Sequence, residues 1–79
     1  MQATVSGIRL SYELFGQGSP ILFIHGFPLS GTMWHDVAGS LPAGWRAIVP
    51  DLRGHGRSEA TPQVTITQFA DDLAGLLDA

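Results

Sequence analysis

At 79 residues the chain has room for one small domain, and a domain of that size leans on disulfides, a metal or a partner to supplement a modest core. It has no cysteine, and its three histidines (25, 35 and 55) form neither a His-x-x-x-His nor a Glu-x-x-His pair, so disulfides are excluded and no metal site or other cofactor is expected. A net charge of −3, with four arginines and no lysine, argues against a nucleic-acid surface, while 44% apolar and 14% charged residues describe a globular chain rather than a disordered tail.

Thr4 and Val5, the Ser6-Gly7 turn, and then Ile8, Leu10, Tyr12 and Leu14 alternating with Arg9, Ser11 and Glu13 predict a β-hairpin whose second strand has one buried and one wet face. Residues 16–20 (Gly-Gln-Gly-Ser-Pro) read as a turn cluster that ends it. Ile21 to Ile24 do not alternate, as expected of a parallel strand covered on both faces. Ser30 or Thr32 then opens a helix with Met33, Trp34, Val37, Ala38 and Leu41 at helical spacing, closed by Pro42 and Gly44; His35 is expected to face solvent. Ala47 to Val49 is a second buried strand. Strand, helix and strand with short loops predict a right-handed crossover with the two strands parallel.

The last segment opens with a capping box from Thr65 and Gln68, a hydrophobic staple from Val64 and Phe69, and Asp71 and Asp72 near the positive end of the helix dipole. Its apolar face is Phe69, Ala70, Leu73, Leu76 and Leu77, and the helix is expected to continue to Ala79. Covering Phe69, Leu73, Leu76 and Leu77 at ~1.5 to 3 kcal/mol each contributes roughly 6 to 12 kcal/mol, comparable with the stability of a whole domain. That face is therefore expected to have a partner.

Two motifs follow the apolar strands. His25-Gly26-Phe27-Pro28 follows the first, and Asp51-Leu52-Arg53-Gly54-His55-Gly56-Arg57-Ser58 follows the second after Pro50. In this order and spacing the chain resembles the N-terminal portion of an α/β-hydrolase over nearly all its length. The resemblance implies an α/β fold: residues 1–79 form the N-terminal fragment of a single domain (β-hairpin, strand-helix-strand crossover, start of a further helix), completed by a missing or separate chain. It also implies that the nucleophile, acid and catalytic histidine lie beyond Ala79, on a remainder whose nucleophile-bearing strand pairs beside Ile21 to Ile24.

By that resemblance the Phe27 N–H is one donor of an oxyanion hole, with glycine at 26 letting the backbone approach the reacting carbonyl. Phe27 and Leu29 are the substrate-pocket candidates, whereas Met33 and Trp34 read as core. His25 is structural, orienting the loop by hydrogen bonds. Asp51, Arg53 and His55 shape the second turn, with Gly54 and Gly56 at backbone angles other residues resist. Gly56-Arg57-Ser58-Glu59-Ala60 fits a relaxed nucleophile elbow, but loop residues on both sides make Ser58 structural.

The implied activity is that of a carboxylesterase-like serine hydrolase acting on a small-molecule ester, with this chain inactive alone. His-Gly-Phe-Pro is also seen in epoxide hydrolases and dehalogenases, which use an aspartate nucleophile. A non-catalytic interaction module binding through its open strand edge is the alternative of a different class. With no basic leader and no apolar run of membrane-spanning length, a cytoplasmic protein without nucleic-acid or membrane partners is expected.

Overall fold

The computed structural model describes residues 1–26, 29–62 and 64–78. Strands β1 (Gln2–Val5) and β2 (Ile8–Gly16) form the hairpin, with Ser6 and Gly7 both at positive φ (49° and 78°) in the turn between them. Strand β3 (Gly18–Leu22) is followed by a 3-10 turn (Gly31–Trp34), the short helix α1 (His35–Gly39), strand β4 (Gly44–Pro50) and helix α2 (Ile66–Asp78). The sheet order is β1-β2-β4-β3, with β4 antiparallel to β2 and parallel to β3. The predicted hairpin and parallel pair are both present.

The two helices lie on opposite faces of this sheet. Ala47 and Val49 of β4 pack with Ala38, Phe15, Phe23, Trp34 and Leu41 on the α1 face. Ile48, between them in sequence, points the other way into Val5, Ile8, Leu10 and Leu76 on the α2 face, with Leu22 of β3 beside it. Both faces of β4 are thus covered, which is why its sequence does not alternate.

Four expectations are corrected. First, residues 18–20 do not belong to a turn: β3 starts at Gly18, and the reversal is confined to Gln17. Pro20 is tolerated because β3 is an edge strand of this sheet and needs no ladder donor on its free side. The strand ends at Leu22, although the Phe23 N–H still donates to Ile48 O at 2.9 Å; Ile24 is outside it and half exposed. Second, the expected helix from residue 30 is a 3-10 turn plus five residues of α-helix, with Ser30 as its cap. That short element buries Ala38 and half-buries Trp34 and Leu41, while Met33 and Val37 are exposed and His35 stacks on Phe15 at 5.4 Å.

Third, the wet face of β2 is interrupted: Arg9 is exposed and Glu13 partly so, but Ser11 is buried beneath the turn that follows β4. Fourth, the α2 stripe is only partly open: Leu73 and Leu76 are buried, Leu76 against the chain's own sheet, whereas Leu77 and Ala70 are exposed. The capping box forms as expected, with Gln68 N–H donating to Thr65 Oγ1 at 3.1 Å and Thr65 N–H to Gln68 Oε1 at 2.9 Å. Neither Asp71 nor Asp72 lies in the first turn of α2, and Asp72 is a fully buried carboxylate.

The β3–β4 pairing begins where Gly18 faces Gly44. Gly18 has φ 127°, and a Cβ there would collide with the Gly44 carbonyl, so Gly18→Ala is expected to lose about 2 kcal/mol or more of stability. Gly39, in α1 with open space around it, is the control: Gly39→Ala should be neutral or gain up to about 1 kcal/mol. Paired chemical-denaturation curves test both, and equal losses would contradict this account of β3.

Candidate functional site

The carboxyl ends of the parallel strands β3 and β4 lead into the two motif loops, and the loops are fastened to each other. Leu52 is the second residue past β4, and its buried N–H donates to His25 Nε2 at 2.8 Å. Because Nε2 accepts, the proton of the neutral ring belongs on Nδ1, which donates to Gly26 O at 2.9 Å. The ring is 3% exposed and has no nitrogen left over for a reacting group. This geometry is that of a loop-orienting histidine. The Leu29 N–H donates to Gly26 O at 2.8 Å, and the Leu29 side chain is half exposed, free to meet a ligand. Phe27 and Pro28, the expected oxyanion donor and its neighbour, lie outside the described residues.

The second motif folds onto β2. After β4 ends, Asp51 N–H still reaches Ser11 O at 2.9 Å, and the Glu59 N–H reaches Arg9 O at 2.8 Å. Between them Ser58 Oγ accepts the Ser11 N–H at 2.8 Å and donates to Asp51 O at 2.5 Å. A hydroxyl is the smallest group that does both, so the serine stands in for a missing ladder partner. Loop flanks it on both sides, with α2 starting only at Ile66, so it lacks the strand-turn-helix setting of a nucleophile. Gly54 and Gly56 sit at φ 78° and 51°, the left-handed region expected of them. The Asp51 carboxylate reaches out of this turn: Oδ1 accepts Gly31 N–H at 2.6 Å and Oδ2 accepts Arg57 N–H at 3.0 Å.

Arg53 is buried and points away from the loops into α2. Its Nε and Nη2 donate to the two oxygens of Asp72 at 2.9 and 2.7 Å, a two-point contact that ties the turn to the helix. The hydrogen bond to Asp72 holds the guanidinium above its ordinary pKa, and desolvation opposes the shift. Sequence reading missed this pair; the signal was an acidic residue at 72 on the same helix face as Phe69, Leu73 and Leu76, where a solvated carboxylate has no place. His55 donates from Nδ1 to Arg53 O at 3.0 Å, and its ring lies 5.0 Å from His25 and 6.1 Å from Phe69.

Beside His25 and His55 an open apolar groove of about 380 Å³ runs between Ile24, Leu52, Ile66, Phe69, Ala70 and Leu73. Among the described residues no group of three His, Cys, Asp or Glu could hold a metal ion, and no helix is long and apolar enough to cross a membrane.

The family model described as alpha/beta hydrolase fold matches residues 19–79. The chain is 45% identical to a non-heme chloroperoxidase of Kitasatospora aureofaciens over 94% of its own length, and 41% identical to an epoxide hydrolase of Caballeronia sordidicola over 94%. It spans 28% and 24% of those two proteins. Among solved structures, a thermophilic esterase from Thermogutta terrifontis superposes with a TM-score of 0.89 at 43% identity, covering 99% of this chain and 30% of that one. Fold, order of elements and sequence agree, and the chain belongs to the α/β-hydrolase family.

Proposed function

We propose that this chain is the N-terminal part of a cytoplasmic α/β-hydrolase in which the rest of the domain supplies a serine that attacks a small carboxylic ester, with Phe27 N–H as one oxyanion donor. The observation that carries the reading is the placement of α1 and α2 on opposite faces of the sheet. Crossovers between parallel strands are right-handed in nearly all cases. With α1 on one face, the step from β3 leads to β4; with α2 on the other, the same hand sends the next parallel strand back past β4 and β3 to the free edge of β3. Two crossovers in opposite directions make a switch point, and ligands of open α/β sheets bind outside the carboxyl ends of the strands there. The residues leaving β3 at that point are those around His25, Gly26 and Phe27.

In this reading the incoming serine Oγ bonds to the ester carbon, its proton passes to a histidine and then to the departing alcohol, and the carbonyl electron pair collects on an oxygen facing the donor loop. One backbone donor at that position is worth about 3 kcal/mol in the transition state. Leu29, half exposed in the same loop, contacts the acyl group. The apolar groove lined by Ile24 and Phe69 and the exposed Leu77 are covered by the remainder of the domain. A second reading, with an aspartate as nucleophile and an epoxide as substrate, is supported by the epoxide hydrolases among the relatives.

A fluorophosphonate probe on the complete enzyme, mapped by peptide mass, separates these readings. The label is expected on a serine outside residues 1–79, with Ser58 unmodified. Incorporation of ¹⁸O from water into an aspartate would replace the ester reading with the epoxide one, and a label on Ser58 would overturn both. Ser58→Ala removes the partner of Ser11 N–H and is expected to cost about 1 to 3 kcal/mol of stability while leaving the acylation rate within about two-fold of the parent. Loss of acylation in a folded Ser58→Ala variant would contradict the structural role.

A further inference from the structure

We infer that Asp51 is a positioning residue for Gly31 at the start of the 3-10 turn, as His25 is for Gly26 where the chain leaves β3. The clamp stands on geometry alone; its consequence for turnover rests on the function proposed above. Asp51 is the first residue past β4 and is half-buried. Its two oxygens serve backbone donors from two different loops, Gly31 N–H at 2.6 Å and Arg57 N–H at 3.0 Å. Hydrogen bonds to an ionised carboxylate are roughly twice as strong as neutral ones, and the planar group fixes the angle between its two donors.

Two glycines fit this role. A Cβ on buried Gly31 would lie 3.0 Å from Pro50 O and 3.1 Å from Asp51 Oδ1, and a Cβ on Gly56 would collide with the carboxylate. Consecutive residues at the exit of β4 therefore make two separate contacts with the β3-to-α1 connection: Leu52 with His25, and Asp51 with Gly31. Misplacing a reacting or stabilising group by about 1 Å costs on the order of 10²-fold in rate. Asp51 thereby governs turnover without touching substrate.

Asp51→Asn keeps the shape and one acceptor oxygen but turns an N–H₂ group toward one of the two amides. In the complete enzyme, it is expected to lower kcat for p-nitrophenyl acetate about ten-fold or more, with KM within about two-fold of the parent. Amide exchange at Leu29 to Gly31 should rise about ten-fold, while β4 and α2 keep their protection. Arg57→Ala leaves both the residue-57 N–H and the Asp51 carboxylate in place, so it should retain parental kcat and parental exchange at Gly31. Unchanged exchange in Asp51→Asn, the same changes in Arg57→Ala, or faster exchange with an unaltered kcat would each overturn the inference. A parent enzyme without ester turnover counts against the proposed function only, and the exchange comparison then decides the clamp by itself.

Discussion

The hydrogen bond from Leu52 N–H to His25 Nε2 is the joint on which the arrangement of both motif loops depends. A strand that ends inside a protein leaves amides that neither a neighbouring strand nor water can satisfy, and a buried N–H without an acceptor costs about 1 to 3 kcal/mol. At the carboxyl end of β4 the acceptor comes from the loop leaving β3. Histidine suits the position because its neutral ring accepts at one nitrogen and donates at the other, so one side chain ties Leu52 and also holds Gly26 O. The parallel pairing of β3 and β4 sets the distance between the two loops, and His25 spans it.

From that joint the remaining contacts follow as a chain of polar groups, each closing a backbone end. Asp51 takes an amide from the 3-10 turn and another from its own loop, Ser58 stands between β2 and Asp51, and Arg53 carries the constraint to Asp72 on the opposite side of the sheet. The motif from 51 to 58 therefore contacts four neighbours: β2, the β3 loop, the 3-10 turn and α2. Of its glycines, Gly54 and Gly56 both take positive φ, and Gly56 leaves room for the Asp51 carboxylate. The result is a rigid platform at the carboxyl ends of two parallel strands, flanked on one side by an unpaired strand edge and an apolar groove.

Much of the fold was legible because local chemistry and tertiary structure agree. The Ser6-Gly7 turn, the reciprocal Thr65–Gln68 cap and the run from Ala47 to Val49 each state one structure and adopt it. Legibility failed where a distant partner decides the outcome. Pro20 and two glycines look like a turn until β4 lies beside them and the far edge stays open. Ser11 reads as solvent-facing because the turn that buries it is 47 residues away. Asp72 follows the rule for a helix N-terminal half, and only the fold brings Arg53 to it. Of the site, His25, Asp51 and Ser58 each hydrogen-bond to backbone of the motif loops or the elements beside them. The link from Asp51 to Gly31 has no periodicity or motif to announce it, and the donor assigned to Phe27 falls outside the described residues.

The central claim is that the two motif loops are locked together through a neutral His25 with its proton on Nδ1. Long-range ¹H–¹⁵N correlation spectra of the folded protein, with detection of scalar coupling across the Leu52 N–H···Nε2 hydrogen bond, measure this directly. The account predicts a pyrrole-type Nδ1, a pyridine-type Nε2, a measurable coupling to the Leu52 amide nitrogen and slow exchange at that amide. A protonated Nε2, or a Leu52 amide that exchanges as fast as those of exposed loops, would contradict it.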